Sequence, residues 1–226
     1  MPVGPLQNTV SNCIYRLHVC VKSFKSMLLA RVLSYLLHPL LMPFYSVMLV
    51  LNINTYLAFS ISPYVQQLVI TVVFVTTAAL PVVTSVFLLQ QGSIQSLEME
   101  NPKERRIPFV TAGLYFVLCY YLLLLMPVPQ ILPNMVLGAA LSIFISWLIN
   151  FKWKISIHMV GIGGLIGILV GISIRLGADL LIPVLVTVLM AGLLGSSRIR
   201  LGAHTEAQVY AGLVLGLATE WFFTTL

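Results

Sequence analysis

The stretch Ile157-His-Met-Val-Gly-Ile-Gly-Gly-Leu-Ile-Gly-Ile-Leu-Val-Gly-Ile-Ser-Ile174 decides the fold class of this chain. Its residues are apolar on both parities, whereas a membrane β-strand would alternate over about 10 residues. An uncharged run of this length is instead a helix able to cross a ~30 Å hydrocarbon core. Gly163, Gly167 and Gly171 repeat every fourth residue, the spacing that lets two helix backbones approach closely. Gly212 and Gly216 repeat the pattern near the C-terminus.

Working outward, six more apolar stretches are separated by charged or Pro/Asn-bearing breaks: Leu28–Leu51, Tyr64–Gln90, Pro108–Met126, Pro133–Ile149, Leu180–Leu194 and Ala207–Phe223. The composition agrees, with 59% hydrophobic and 8% charged residues over 226 positions; an ordinary soluble domain carries about 25% charge. We therefore expect an all-α polytopic membrane helix bundle of six to seven transmembrane helices, forming one embedded domain over residues 27–226. Residues 1–26 are expected to be a polar extension rather than a secretory signal, because no basic segment precedes an apolar run and Arg16, Lys22 and Lys25 punctuate it. Pro39, Pro43 and Pro81 should kink the first two helices. His38, next to Pro39, is expected to be structural, bonding a carbonyl that the proline frees. Cys13, Cys20 and Cys119 show no spacing for a disulfide framework or zinc site.

The net charge of +6 is the feature that composition leaves unexplained. If all seven stretches cross, the N-terminus shares a face with loops near 91–107, 150–156 and 195–206. Arg16, Lys22, Lys25, Arg31, Lys103, Arg105, Arg106, Lys152, Lys154, Arg198 and Arg200 all fall there, leaving only Arg175 opposite, in the same turn as Asp179. The positive-inside rule places the loaded face in the cytoplasm of a bacterial inner membrane. Nucleic acid is not needed to explain the charge.

That face carries Ser197-Arg198-Ile-Arg-Leu-Gly-Ala-His204-Thr-Glu-Ala-Gln208-Val-Tyr-Ala-Gly212. The segment resembles the third signature of the type 2 phosphatidic acid phosphatase family, SRxxxxxHxxxD, with Ser197, Arg198 and His204 at matching spacing. Upstream, Ile155-Ser156-Ile157-His158 is similar to a reduced second signature, PSGH, keeping its Ser and His. Asn101-Pro-Lys103-Glu-Arg105-Arg106-Ile-Pro108 has the basic residues and proline of the first signature, KxxxxxxRP, but not its spacing. Lys154 can replace part of it.

The resemblance implies a lipid phosphatase with His204 as the nucleophile that forms a phosphohistidine and His158 as the general acid. It implies phosphate binding by Arg198, Ser197, Lys103, Arg105, Arg106, Lys154 and Ser156, with no metal and no cofactor. Those residue types suit the chemistry: a phosphate dianion needs several fixed cations, and arginine offers planar bidentate donors. Where the family has an aspartate beside the nucleophilic histidine, this chain has Gln208. At i and i+4 on a helix, Gln208 should still share a face with His204, while Glu206 should point elsewhere.

The expected partners are thus a lipid phosphate substrate, a monoester or diphosphate, and the surrounding membrane lipids. A non-catalytic relative that binds anionic headgroups is the alternative, motivated by Gln208 and the reduced second signature. A transporter ranks last, because most spans carry no ionisable residue near their middle, where coupled transport normally needs one.

Overall fold

A computed structural model of the chain describes residues 27–53, 55–97, 99, 101 and 103–226. The expected polar extension over residues 1–26, with Cys13 and Cys20, lies outside the described residues. The chain is an all-α polytopic bundle. Its long helices are α1 (Met27–Asn52), α2 (Pro63–Gln90), α3 (Arg106–Leu124), α4 (Ile131–Ile149), α5 (Ile157–Leu176), α6 (Leu181–Arg200) and α7 (Glu206–Thr225), with a single helical turn at Tyr56–Phe59 between α1 and α2. Helices α1 to α6 are each long and apolar enough to cross a membrane, which makes this a multi-pass membrane protein. Helix α7 matches their length but is less apolar, since it contains Glu206 and Glu220. No strand occurs among the described residues.

Proline acts on the first two helices in different ways. Residues preceding proline are pushed out of the helical region, and His38 accordingly has φ −66° and ψ 136°. Helix α1 stops there, passes through a 3₁₀ turn at Pro39–Leu41 and resumes at Met42. His38 Nδ1 accepts the Leu40 N–H at 3.3 Å. The expected structural bond is therefore made to an amide of the following turn rather than to a freed carbonyl. In α2, Pro81 has no N–H to offer its preceding turn, and the helix widens to a π-turn at Val75–Ala79, where Leu80 N–H reaches back to Val75 O.

Helix α6 runs six residues beyond the apolar stretch read from the sequence, to Arg200. Ser196 and Ser197 donate their hydroxyls to Gly192 O and Leu193 O, each at 2.8 Å, so these polar residues satisfy themselves without leaving the helix. Earlier along the helix, exposed apolar side chains such as Ile182 and Leu189 cover its surface, as a lipid-facing helix requires.

The tightest contact joins α5 to α7. A Cβ on Gly163 or Gly167 would meet the backbone oxygens of Leu213 or Leu217, and one on Gly216 would meet Val160 O. The four-residue glycine spacing thus does what it predicted, bringing backbone against backbone. Arg175, at the far end of α5, donates to Thr224 O at 3.1 Å, while Asp179 Oδ1 accepts Leu181 N–H. These two residues serve different helix ends instead of each other.

Candidate active site at the loop face

The turn from α6 to α7 fixes the spacing between Arg198 and His204. Helix α6 ends in a left-handed residue, Gly202, at φ 66°, a conformation that favours glycine because it lacks Cβ. Gly202 N–H then bonds Ile199 O at 2.9 Å and Ala203 N–H bonds Arg198 O at 3.1 Å. This is the double closure of a Schellman cap. His204 follows at once, its own N–H 3.4 Å from Arg198 O.

Helix α7 opens with a capping box formed by Thr205 and Gln208. Gln208 Oε1 accepts the Thr205 N–H at 3.2 Å and lies 3.1 Å from His204 Nδ1. An atom that accepts from a backbone amide is the amide oxygen, which cannot donate, so Nδ1 carries the imidazole proton and Nε2 the lone pair. His204 precedes the helix, so the Gln208 contact arises from the capping box rather than from two residues on one regular helical face. Glu206 is exposed and takes no part.

Helix α5 is tied to the same place. Ser156 N–H donates to Gln208 O at 3.3 Å, holding the start of α5 to the start of α7. Two residues on, His158 Nε2 lies 3.2 Å from Ser34 O of α1. A carbonyl only accepts, so His158 Nε2 bears hydrogen and Nδ1 is the nitrogen left to exchange a proton. The His38 ring stands edge-on to His158 with centroids 5.5 Å apart. At the start of α3, buried Arg105 donates Nε to Met99 O at 2.8 Å.

A cavity of about 840 Å³ opens among these groups. Arg31, Arg105, Lys154, His158, Arg198 and His204 line its loop-face end. Beyond them it continues between apolar residues, including Val136, Ile143, Leu165 and Ile168, towards Ser142 and Glu220. Tyr35 and Val82, both lining residues, are also largely exposed on α1 and α2, so the cavity reaches the lipid-facing surface there. Among the described residues no carboxylate lines the loop-face end. Burial pushes His204 down to about 4, helped by Arg105, Arg198 and Lys154 and opposed by the Gln208 hydrogen bond. Burial and Arg198 likewise push Arg105 down to about 10. Several fixed cations converging on one cavity favour an anion there.

Of the catalytic and phosphate-binding residues expected from the sequence, His204, His158, Arg198, Arg105 and Lys154 come together on this cavity. Gln208, Ser197, Ser156, Lys103 and Arg106 do not line it. Gln208 acts through His204, and Ser197 turns its hydroxyl back to its own helix. Ser156 is fully buried, its Oγ makes no hydrogen bond among the described residues, and its carbonyl faces Gly212 of α7. Lys103 sits in an exposed turn where its N–H bonds Asn101 Oδ1, and Arg106 lies 4.6 Å over the Phe151 ring. Sequence reading did not place His38 on the cavity, because its contact with His158 spans 120 positions. Nor did it single out Glu220, a lone acid beside Trp221 and Phe222 whose burial depends on distant helices. Among the described residues no group of three His, Cys, Asp or Glu side chains could hold a metal ion. Comparison with protein-family models, with curated proteins and with solved structures finds no match.

Proposed function

We propose that this protein is a membrane lipid phosphatase that hydrolyses a phosphate monoester or diphosphate of an amphiphile through a phosphohistidine at His204. The observation that carries the reading is the convergence of Thr205 N–H and His204 Nδ1 on Gln208 Oε1, which leaves the His204 Nε2 lone pair beside a cation-lined cavity. Depressed basicity keeps that ring neutral at pH 7, the state a nucleophile needs. An apolar cavity continuing from an anion seat suits an amphiphile, phosphate at the loop face and chain inside.

In the proposed reaction His204 Nε2 attacks phosphorus, forming a P–N bond as the P–O bond to the lipid breaks. His158, which must enter the step with hydrogen on both ring nitrogens, gives its Nδ1 proton to the leaving oxygen and keeps its Nε2 hydrogen on Ser34 O. Water then attacks the phosphohistidine, its proton passes to His158, and inorganic phosphate leaves with the Nε2 lone pair restored to His204. Arg198, Arg105 and Lys154 hold the non-bridging oxygens throughout, where fixed donors oppose the developing charge.

Phosphate release from a panel of lipid phosphates in detergent tests this. His204→Ala should lose at least ~10³-fold in turnover, and Arg198→Ala about 10²-fold. Arg106→Ala, which removes a side chain outside the cavity, should stay within twofold. An active His204→Ala protein would remove the nucleophile from the reading. The second reading, headgroup binding without turnover, is favoured by the neutral Gln208 and by a His158 ring proton committed to Ser34 O. It would be supported by phosphate-dependent lipid binding with no release from any member of the panel. We place the loop face in the cytoplasm of a bacterial inner membrane, from the charge count alone. A reporter active only outside the cytoplasm, fused after Leu226, should then be active.

A further inference from the structure

The opposite end of the cavity holds a group that the proposed chemistry does not use. Glu220 is buried, lines the cavity, and its Oε2 makes no hydrogen bond among the described residues. Two helices leave out side chains to admit it. A Cβ on Gly138 of α4 would come 2.8 Å from Glu220 Oε2, and one on Gly164 of α5 would come 3.1 Å from its Cγ. Arg175, towards the same end of α5, directs Nη1 to Thr224 O and not to this carboxylate.

Ser142 stands one helical turn from Gly138 and also lines the cavity. Its hydroxyl is 2.5 Å from Thr219 Oγ1, and Thr219 in turn donates to Leu215 O at 2.8 Å. A hydroxyl has one proton, and a backbone carbonyl can only accept. Thr219 therefore spends its proton on Leu215, Ser142 spends its own on Thr219, and Ser142 Oγ offers the cavity only lone pairs. Ser142 Oγ and the unpartnered Glu220 carboxyl, each with acceptor capacity to spare, thus stand on the wall of a largely apolar chamber. A buried acceptor without a partner is unfavourable, and a ligand that brings the missing donor relieves it.

We propose that Glu220 and Ser142 form a recognition site for a hydrogen-bond donor, a hydroxyl or an amine, carried on the apolar part of the bound amphiphile. Its placement relative to the phosphate rests on the function proposed above. Along α5, Gly164 and Ile168 lie about 9–15 Å beyond His158, the span of an extended alkyl chain of roughly eight to twelve carbons. The site selects substrate and does no chemistry. A plain saturated chain leaves both acceptors unanswered, whereas a chain with one donor at that depth answers them.

Isothermal titration of the purified chain in detergent tests this with three sets of probes: alkyl phosphates, ω-hydroxyalkyl phosphates and ω-aminoalkyl phosphates of roughly eight to twelve carbons. The His204→Ala background prevents consumption of the probes, and micelle partitioning cancels when variants are compared on one probe. We expect the hydroxylated or the aminated probe to bind about tenfold more tightly than the plain one at one chain length. The better of the two names the donor. Glu220→Leu should abolish that preference while binding the plain alkyl phosphate at least as well. Ser142→Ala, a milder change, should reduce the preference about threefold and serves if Glu220→Leu does not fold. Equal binding of all three probes, or a preference that survives both substitutions, would overturn the proposal. Comparison of dodecyl phosphate with dodecanol, and of Arg198→Ala with its parent, separates the two readings. If phosphate adds nothing, the phosphate seat fails while a Glu220-dependent preference still stands; if only the preference is missing, the seat stands and the recognition site fails.

Discussion

Helices α5 and α7 touch backbone to backbone, whereas α1 is interrupted at Pro39, α2 is widened by a π-turn before Pro81, and both line the cavity. The difference shows in burial: 61% of the α5 core window is buried, against 28% in both α1 and α2. The close pair carries His158 and His204 at its loop-face end and is stitched there by Ser156 N–H to Gln208 O. The open pair supplies Arg31, His38 and the exposed Tyr35 and Val82 to the cavity wall. Reacting groups must be held within fractions of an ångström, while an entrance for an amphiphile needs a gap. If the proposed function holds, the bundle assigns the two demands to different helix pairs, with small residues closing one pair and prolines interrupting the regular backbone of the other.

The largest effect should come from forcing the close pair apart. Gly216→Val would drive a branched side chain into Val160 O and the Gly164 amide, both backbone atoms that cannot swing away. We expect a loss of about 3 kcal/mol or more, seen as a sharp fall in melting temperature in detergent. Gly192→Ala on α6 is the matched control, because nothing lies within 4 Å of the added Cβ. It should be neutral, or stabilise by up to ~1 kcal/mol through helix propensity. Equal melting temperatures for Gly216→Val and Gly192→Ala would break the contrast between a closed and an open half.

Much of this division was legible in the residues themselves. Uninterrupted apolar runs predicted the helices, and four-residue glycine spacing predicted the close pair, because both signals are local to one helix. The end of α6 reads short in the sequence, since Ser196, Ser197 and Arg198 look like a loop until the two serine hydroxyls are seen bonding backward. For the site, motif spacing drew attention to His204, Arg198 and His158, and the Schellman cap supplies a backbone reason for the distance between the first two. Lys103 and Arg106 were drawn in by being neighbours of Arg105, but successive residues entering a helix point different ways, and only Arg105 faces inward. His38 and Glu220 were not recognised as cavity residues, because their surroundings come from helices distant in sequence.

A change inside the close half should be of intermediate size. Gln208→Asp would place a carboxylate where the amide oxygen now meets His204 Nδ1, favouring the imidazolium that develops during phosphoryl transfer. If the proposed reaction holds, turnover near pH 7 should rise roughly tenfold, a fraction of the cost of the reverse change in a serine protease. The acid side gives a second reading. His204 sits at about 4 in the folded protein against 6.5 ordinarily. The unfolded chain therefore gains this proton first, and folded stability from this group, fully present above pH 6.5, declines as pH falls from 6.5 to 4 and is then flat. In Gln208→Asp the new carboxylate raises the folded value, so that loss should shrink and the acid limb of activity should move to higher pH. Melting temperature and turnover recorded between pH 4 and 8 check both; an unmoved acid limb would mean that residue 208 does not govern the ring.

The smallest effect should come from the open half, at His38. His38→Ala deletes the acceptor for Leu40 N–H and the ring edge against His158, but leaves the α5–α7 contact intact. Loss of a capping side chain costs about 1 kcal/mol. Kinetically, an element that only shapes the entrance should affect capture more than chemistry: KM for a lipid phosphate should rise about threefold, with kcat within a similar factor. A kcat collapse comparable to His204→Ala would mean that α1 positions His158 for proton transfer through Ser34 O and the His38 ring. The boundary between reacting half and admitting half would then run through α1 rather than beside it. His38→Asn distinguishes the two cases, because its amide oxygen can still accept the Leu40 N–H. Rescue of stability without rescue of kcat would assign the ring, and not the cap, to the chemistry.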